Sequence, residues 1–325
     1  MSEQNYGSAH PRDHGGGIDS AAGRWGGTRA DWLDLSTGIN PQPYPMPPLP
    51  ADAWTALPDS RAERALVEAA RAFWEVPEGL DILPCPGASA AIARLPALGT
   101  LGRVWIPQPT YNEHAASFGA AGWSVSAEAD PAPDASVLVH PNNPDGRLWT
   151  GDALPSSGLL VIDESFCDVC PERTLISVAT ERPGTLILKS FGKFWGLAGV
   201  RLGFVIAAPD LIAPLRDMIG PWAVSGPALT IGTEALRDVT WAEATRARLE
   251  RDATRLDALL ERAGARTVGG TPLFRLYDTA DARAMQDRLA AARIWTRIFP
   301  YSDRWLRLGL PGGEPDWQRL EAVLA

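Results

Sequence analysis

Asn143, Asp163 and Lys193 are the residues whose types and positions in this chain suit catalysis, because each leaves an apolar run. Asn143 stands in His140-Pro141-Asn142-Asn143-Pro144-Asp145-Gly146 after Ser136-Val137-Leu138-Val139. Asp163 opens Asp163-Glu164-Ser165-Phe166 after Leu159-Leu160-Val161-Ile162, and Lys193 ends Lys189-Ser190-Phe191-Gly192-Lys193 after Thr185-Leu186-Ile187-Leu188. In open α/β sheets ligands sit beyond the carboxyl ends of the strands, so polar residues at these exits are placed to meet one. The set suits a pyridine-ring cofactor. A buried carboxylate at Asp163 holds a ring nitrogen protonated and makes the ring an electron sink. The Asn143 amide can donate to a phenolic oxygen, and the Lys193 amine can bond covalently to a carbonyl carbon if its surroundings keep it unprotonated. Singly, an Asp after a strand serves as a cap and an Asn-Pro as a turn. In order, at strand exits, they form a constellation.

These residues need a framework of buried strands. Arg103-Val104-Trp105-Ile106 and Gly203-Phe204-Val205-Ile206 join the three runs above to make five short apolar, β-branched segments, the pattern of parallel strands covered on both faces. Segments of helical character such as Glu113 to Ala121 lie between them, so the centre of the chain reads as an α/β domain. From Trp241 to Ala263 a charge-rich amphipathic helix carries Leu249, Leu256, Leu259 and Leu260 on one stripe, with Gly264 placed to end it. A strand over 271–276, a helix from Ala280 to Ala292 and a strand over 305–308 follow as a small α+β domain. The Pro- and Gly-rich stretch from Pro41 to Pro50 sets off an N-terminal arm. The expected division is an arm over 1–40 joining the small domain, a large domain over 41–238, and a small C-terminal domain over 239–325 that begins with the long helix.

Composition narrows the function. At 325 residues the chain is long enough for two domains, and a net charge of −9 argues against a nucleic-acid partner, which needs many cations to neutralise phosphates. No apolar stretch approaches the roughly 20 residues of a membrane helix. The start, polar and glycine-rich with Arg12 as its one basic residue, has no secretory core, so a cytoplasmic protein is expected. Cys167 and Cys170 form a C-x-x-C, but three cysteines make no disulfide framework and no second pair or neighbouring His completes a four-ligand site, so no metal is expected.

Ser190, Lys193 and Arg201 lie in Ser190-Phe191-Gly192-Lys193-Phe194-Trp195-Gly196-Leu197-Ala198-Gly199-Val200-Arg201, which resembles the cofactor-lysine segment of fold-type I pyridoxal-phosphate enzymes. The resemblance spans roughly residues 14 to 310. It implies an aspartate-aminotransferase-like α/β fold, a large domain with a mostly parallel sheet plus a small α+β domain, with pyridoxal 5'-phosphate carried on Lys193. Ser190 and Arg201 would clamp the cofactor phosphate, the arginine through its planar fork. Pro86-Gly87-Ala88-Ser89 resembles the turn opening a phosphate-binding helix, giving Ala88 and Ser89 that role. Tyr111 falls where an aromatic ring stacks on the cofactor, and Arg307 matches the arginine that grips the substrate α-carboxylate.

Within that fold the sequence resembles the branch holding histidinol-phosphate aminotransferases and threonine-phosphate decarboxylases. Four features resemble the decarboxylases: the His14-Gly15-Gly16 arm with Leu35-Ser36-Thr37-Gly38-Ile39-Asn40-Pro41, Phe166 where aminotransferases carry a tyrosine, the run Cys167 to Glu172, and the Lys193-Phe194 pair. The implied reaction is decarboxylation of O-phospho-L-threonine to (R)-1-aminopropan-2-yl phosphate in cobalamin biosynthesis, with transamination of a histidinol-phosphate type as the alternative. Arg307 and Arg297 would grip the anionic ends of this small phosphorylated amino acid, with His14 and Asn40 closing over it. A homodimer is implied too. Where many members carry Arg-Tyr-Pro-Asp, reaching the partner subunit's cofactor, this chain has Ala56-Leu57-Pro58-Asp59, and Leu57 cannot donate a hydrogen bond.

Overall fold

The apolar runs are strands. A computed structural model describes residues 14–325, and the expectations for 1–13 lie outside the described residues. The described residues fall into two compact units, residues 44–143 and 148–242 in the first and 14–43, 144–147 and 243–325 in the second.

In the first unit the strands are β1 (Asp81–Cys85), β2 (Arg103–Trp105), β3 (Ser124–Ser126), β4 (Ala135–Val139), β5 (Leu159–Asp163), β6 (Thr185–Ser190) and β7 (Gly203–Ala207). Among the described residues they form one seven-stranded sheet in the order β1-β7-β6-β5-β4-β2-β3. The pairs from β6 through β5, β4 and β2 to β3 are parallel, whereas β7 is antiparallel to both β6 and β1. Every residue of β4, β5 and β7 is buried, as expected for strands with both faces covered. Strand β1 contains Pro84, which the sheet tolerates because β1 is an edge.

Helices α1 (Ser60–Phe73), α2 (Ala88–Ile92), α3 (Asn112–Ala120), α4 (Pro209–Ile219) and α5 (Gly226–Arg237) belong to this unit. Asp59 and Ser225 cap α1 and α5 through their side-chain oxygens. One core layer joins Leu83, Ile92, Val104, Phe118, Val137, Val161, Leu186, Val205 and Leu215. Each such side chain contributes about 1.5–3 kcal/mol by leaving water. That packing fixes the strand exits where Asn143, Asp163 and Lys193 stand.

In the second unit β8 (Arg266–Thr271), β9 (Phe274–Asp278), β10 (Arg297–Phe299) and β11 (Ser302–Gly309) form an antiparallel sheet in the order β10-β11-β9-β8. The strand expected over 271–276 is instead the end of one strand and the start of the next. Pro272, lacking an N–H, breaks the ladder, and the Leu273 amide donates to Thr271 Oγ1 at 3.1 Å to close the turn. The long helix α6 spans Val239–Arg262; Gly264 adopts φ +86°, and Ala265 N–H donates to the Leu260 carbonyl at 3.0 Å beyond the helix end. Helices α7 (Ala282–Ala291) and α8 (Glu314–Leu324) complete the unit. The helix Ile18–Trp25 packs Ile18 and Ala21 against Trp32 and Ala290, so the described part of the arm is folded into this unit.

Candidate cofactor site

Strand exits β4, β5 and β6, the first turn of α2 and the start of α3 surround one cavity. Its lining includes Ala88, Ser89, Tyr111, Asn143, Asp163, Phe166, Ser190, Lys193 and Arg201. Eight of the twelve residues expected at the site, from Ala88 to Arg201, are thus brought together. The other four lie in the second unit.

Asp163 ends β5 and is almost fully buried. Its Oδ2 meets His114 Nε2 at 2.8 Å, and its Oδ1 accepts from the Ser165 amide at 2.9 Å and the Ser165 hydroxyl at 2.5 Å. Burial pushes the carboxyl toward neutrality, but the hydrogen bonds from His114 and Ser165 outweigh it and hold it below its ordinary value of 3.8. Asp163 is therefore a carboxylate at neutral pH. His114 Nδ1 is buried with no hydrogen-bond partner, which favours the tautomer whose Nε2–H donates to Asp163. His114 and Ser165 were absent from the sequence-based set. The available signal was helical spacing: His114 lies one turn after Tyr111, and the two rings meet edge to face at 5.9 Å.

Lys193 follows β6 through a short turn, with its Nζ 5.4 Å from the centre of the buried Phe166 ring. The phenylalanine offers an apolar face and no hydroxyl. Arg201, which also lines the cavity, adopts φ +55°, and its Nη1 donates to the Ala198 carbonyl at 3.1 Å. The guanidinium lies against Gly87, where a Cβ would come within 2.6 Å of Nη2. A Cβ at Gly203 would come within 2.4 Å of the Ala88 nitrogen. The two glycines thus make a cradle in which a guanidinium, two serine side chains and the first amides of α2 converge. These residues fit pyridoxal phosphate: an ionised, buried carboxylate for the ring nitrogen, an amine for the aldehyde, and a glycine-cleared cationic cradle for the phosphate.

In the second unit Arg297 and Arg307 are directly paired across β10 and β11. Arg307 is buried over the Phe274 ring at 5.1 Å, and its Nη2 donates to the Ser36 carbonyl at 2.7 Å. The Gly16 amide donates to Ser36 Oγ at 2.7 Å, and a Cβ on Gly15 would come within 2.4 Å of the Ser36 carbonyl oxygen. The His14-Gly15-Gly16 arm therefore lies along the segment that Arg307 holds, with His14 itself exposed. Asn40 is buried with its Oδ1 committed to Arg248 Nη2 at 2.6 Å and to the Gln42 amide at 3.1 Å. That oxygen braces α6 against the arm.

Sequence distance concealed a histidine beside the C-x-x-C. His140, Glu164 and Cys167 place donor atoms within 4.8 Å of one another. Their atoms are already engaged: His140 Nδ1 accepts from the Trp149 amide at 3.0 Å and Nε2 donates to the Arg173 carbonyl at 2.7 Å. Glu164 accepts from Lys189 Nζ at 2.6 Å, Thr174 Oγ1 at 2.7 Å and the Leu175 amide at 2.5 Å. Its hydrogen bond with Cys170, its burial and Glu164 together push the Cys167 thiol up, away from the thiolate a metal requires.

Residues 126–317 match the family model described as aminotransferase class I and II. A threonine-phosphate decarboxylase from Sinorhizobium sp is 43% identical, covering 97% of this chain and 98% of that one. Another from Pseudomonas aeruginosa is 40% identical over 96% of this chain and 97% of that one. Among solved structures, the histidinol-phosphate aminotransferase from Sinorhizobium meliloti in complex with pyridoxal-5'-phosphate superposes with a TM-score of 0.80 at 19% identity, covering 99% of this chain and 96% of that one. That likeness bears on the fold. With the family model matched over more than half the chain and two near-full-length relatives, this chain belongs to the class I and II aminotransferase family.

Proposed function

We propose that this protein is a pyridoxal-phosphate-dependent decarboxylase that converts O-phospho-L-threonine to (R)-1-aminopropan-2-yl phosphate, the aminopropanol unit of cobalamin. The observation that carries the reading is the ionised Asp163 in one cavity with Lys193 and the Arg201 cradle. The near-full-length likeness to two threonine-phosphate decarboxylases favours this reaction over transamination. When bound, pyridoxal phosphate supplies an electron sink for the bond broken at the substrate α-carbon.

Lys193 would hold the cofactor through its amine, and Asp163 its ring nitrogen. Asn143 would donate to the phenolic oxygen and Tyr111 would cover the ring, while Ala88, Ser89, Ser190 and Arg201 would bind the phosphate. The bond cleaved is the one held perpendicular to the ring, so selectivity comes from orientation. Arg307 and Arg297 would supply two cations for a substrate with two anionic ends. His14 and Asn40 would close over it from the arm. With its amine released, Lys193 would deliver a proton to the α-carbon after carbon dioxide leaves. Phe166, with no hydroxyl, leaves Asn143 as the donor to the phenolic oxygen.

The homodimer belongs to this reading as well. Trp54, Leu57 and Trp222 are large apolar side chains of the first unit that stand more than half exposed, a surface suited to a second copy. No described helix is long and apolar enough to cross a membrane, and a cytoplasmic enzyme is proposed. The test is to incubate the purified protein with phosphothreonine and follow products by NMR, with and without a keto acid. Aminopropyl phosphate formed without the keto acid supports the proposal. Turnover that requires the keto acid and yields the corresponding keto product overturns it.

A further inference from the structure

Behind Asp163 and Lys193 lies a buried charge network that neither residue's proposed chemistry uses. Lys189, one of the largest fully buried side chains of the protein, places Nζ 2.6 Å from Glu164 Oε2 and 3.7 Å from Asp168 Oδ1. Asp168, also buried, accepts from Trp74 Nε1 at 2.9 Å through Oδ1 and from Trp195 Nε1 at 3.2 Å through Oδ2. Burial disfavours the Lys189 charge, but Glu164 and Asp168 overcome that cost and raise its pKa above 10.5. All three side chains are thereby held out of water.

The connectivity gives this arrangement a purpose. Glu164 and Asp168 lie on the segment that begins with Asp163, one and five residues beyond it. Lys189 and Trp195 flank Lys193, four residues before and two after. The segment carrying the carboxylate and the segment carrying the amine are therefore fastened to each other on both sides of Lys193. Trp195 cannot swing away, because its ring is stacked between Phe191 at 5.0 Å and Trp241 at 5.4 Å, with interplanar angles of 9° and 13°. Salt bridges buried this deeply rarely add net stability, and their best-attested use is to fix one geometry.

We infer that the Asp168–Trp195 hydrogen bond, backed by the Lys189–Glu164 ion pair, is a positioning device that sets Lys193 relative to Asp163. The inference rests on the reading of Lys193 and Asp163 as the cofactor residues. Asp168 and Trp195 touch neither cofactor nor substrate; they act through the turn that carries the lysine.

The test uses Trp195→Phe, which removes the N–H donor and keeps an aromatic ring between Phe191 and Trp241. Trp123→Phe is the control. Trp123 Nε1 donates to the Pro96 carbonyl at 3.1 Å in the same unit, so that substitution also costs a buried indole hydrogen bond, remote from Lys193. In Trp195→Phe, kcat is expected to fall by roughly ten- to a hundredfold at unchanged KM, the scale of a small misplacement of reacting groups. The pH titration of the visible absorbance of the lysine-bound cofactor is expected to shift, and the affinity of cofactor-free protein for pyridoxal phosphate to fall several-fold. Trp123→Phe, at a comparable loss of Tm, should leave all three readouts at wild-type values. Equal effects in the two variants, or no effect in Trp195→Phe, overturn the inference. If Trp195→Phe does not fold, Trp74→Phe, which frees the other Asp168 oxygen, should move the same readouts in the same direction by less; wild-type values there overturn it. A wild-type protein with no visible absorbance from a lysine-bound cofactor overturns the reading of Lys193, and the inference with it.

Discussion

Arg297 on β10 and Arg307 on β11 are a directly opposed cross-strand pair, two cations set side by side in an antiparallel ladder. Like charges so placed repel, and side chains in such a pair lie about 5 Å apart at their Cβ atoms. The arrangement is favourable when an anion lies between them. In the cofactor-loaded protein, where the Arg201 cradle is filled, inorganic phosphate is expected to raise the Tm of the wild type through binding to the folded state. Arg297→Gln should lose most of that increment, and an equal increment in both proteins would show that the pair is not an anion site.

Arg307→Gln should lower kcat/KM for phosphothreonine by at least about thirtyfold, because removing one member of a desolvated charged pair costs roughly 2–5 kcal/mol. The visible absorbance of the cofactor should be unchanged, since the role proposed for Arg307 is toward the substrate and not the cofactor. Steady-state kinetics and a spectrum of the same preparation check both halves.

His114→Phe removes the donor to Asp163 Oδ2 and leaves a buried acceptor, at a cost of about 1–3 kcal/mol. The Asp163 pKa is depressed on folding, so its stabilising contribution is present above 3.8 and is lost as pH falls below that value. Acid unfolding followed by circular dichroism should therefore begin at higher pH in His114→Phe than in the wild type. Superposable acid transitions would remove His114 from the account.

Gly87→Ala should weaken cofactor binding about tenfold or more, because the new Cβ needs space held by the Arg201 guanidinium 2.6 Å away and φ there is +82°. Gly122→Ala has a similar backbone cost at φ +89° and open space around the Cβ, so it measures the conformational penalty alone. Titration of cofactor-free protein with pyridoxal phosphate separates the two. Equal affinities would mean the cradle is unimportant.

Gly15→Ala tests the arm. Its Cβ would meet the Ser36 carbonyl oxygen at 2.4 Å, the same oxygen that accepts from Arg307. Loss of kcat/KM with an unchanged spectrum is expected; unchanged kinetics would detach the arm from the reaction.

Strand exits were legible because a buried strand is an apolar run and the polar residue ending it is conspicuous, so Asn143, Asp163 and Lys193 could be read directly. Strand β1 was hidden by Pro84, which argues against a strand anywhere except at an edge. The β8–β9 turn was hidden because Thr271 to Leu276 alternates like a single strand, with Pro272 near its start. His114 supports Asp163 from a different element, across 49 residues of sequence; its spacing from Tyr111 could place it near the site, but its pairing with Asp163 needed the fold. The same holds for Lys189 and Asp168: a lysine and an aspartate read as surface residues until packing shows both buried against tryptophans. What a residue does through its own position was visible, and what it does through a distant partner required the fold.

The claim at the centre of this account is bond choice at the substrate α-carbon. The direct measurement is release of labelled carbon dioxide from O-phospho-L-threonine carrying the label in its carboxyl group, with pyridoxal phosphate and no keto acid, in wild type and Lys193→Ala. Multiple-turnover release by the wild type and none above background by the variant are expected. Label that stays in the amino acid, or passes to a keto acid only when an amino acceptor is supplied, would contradict it.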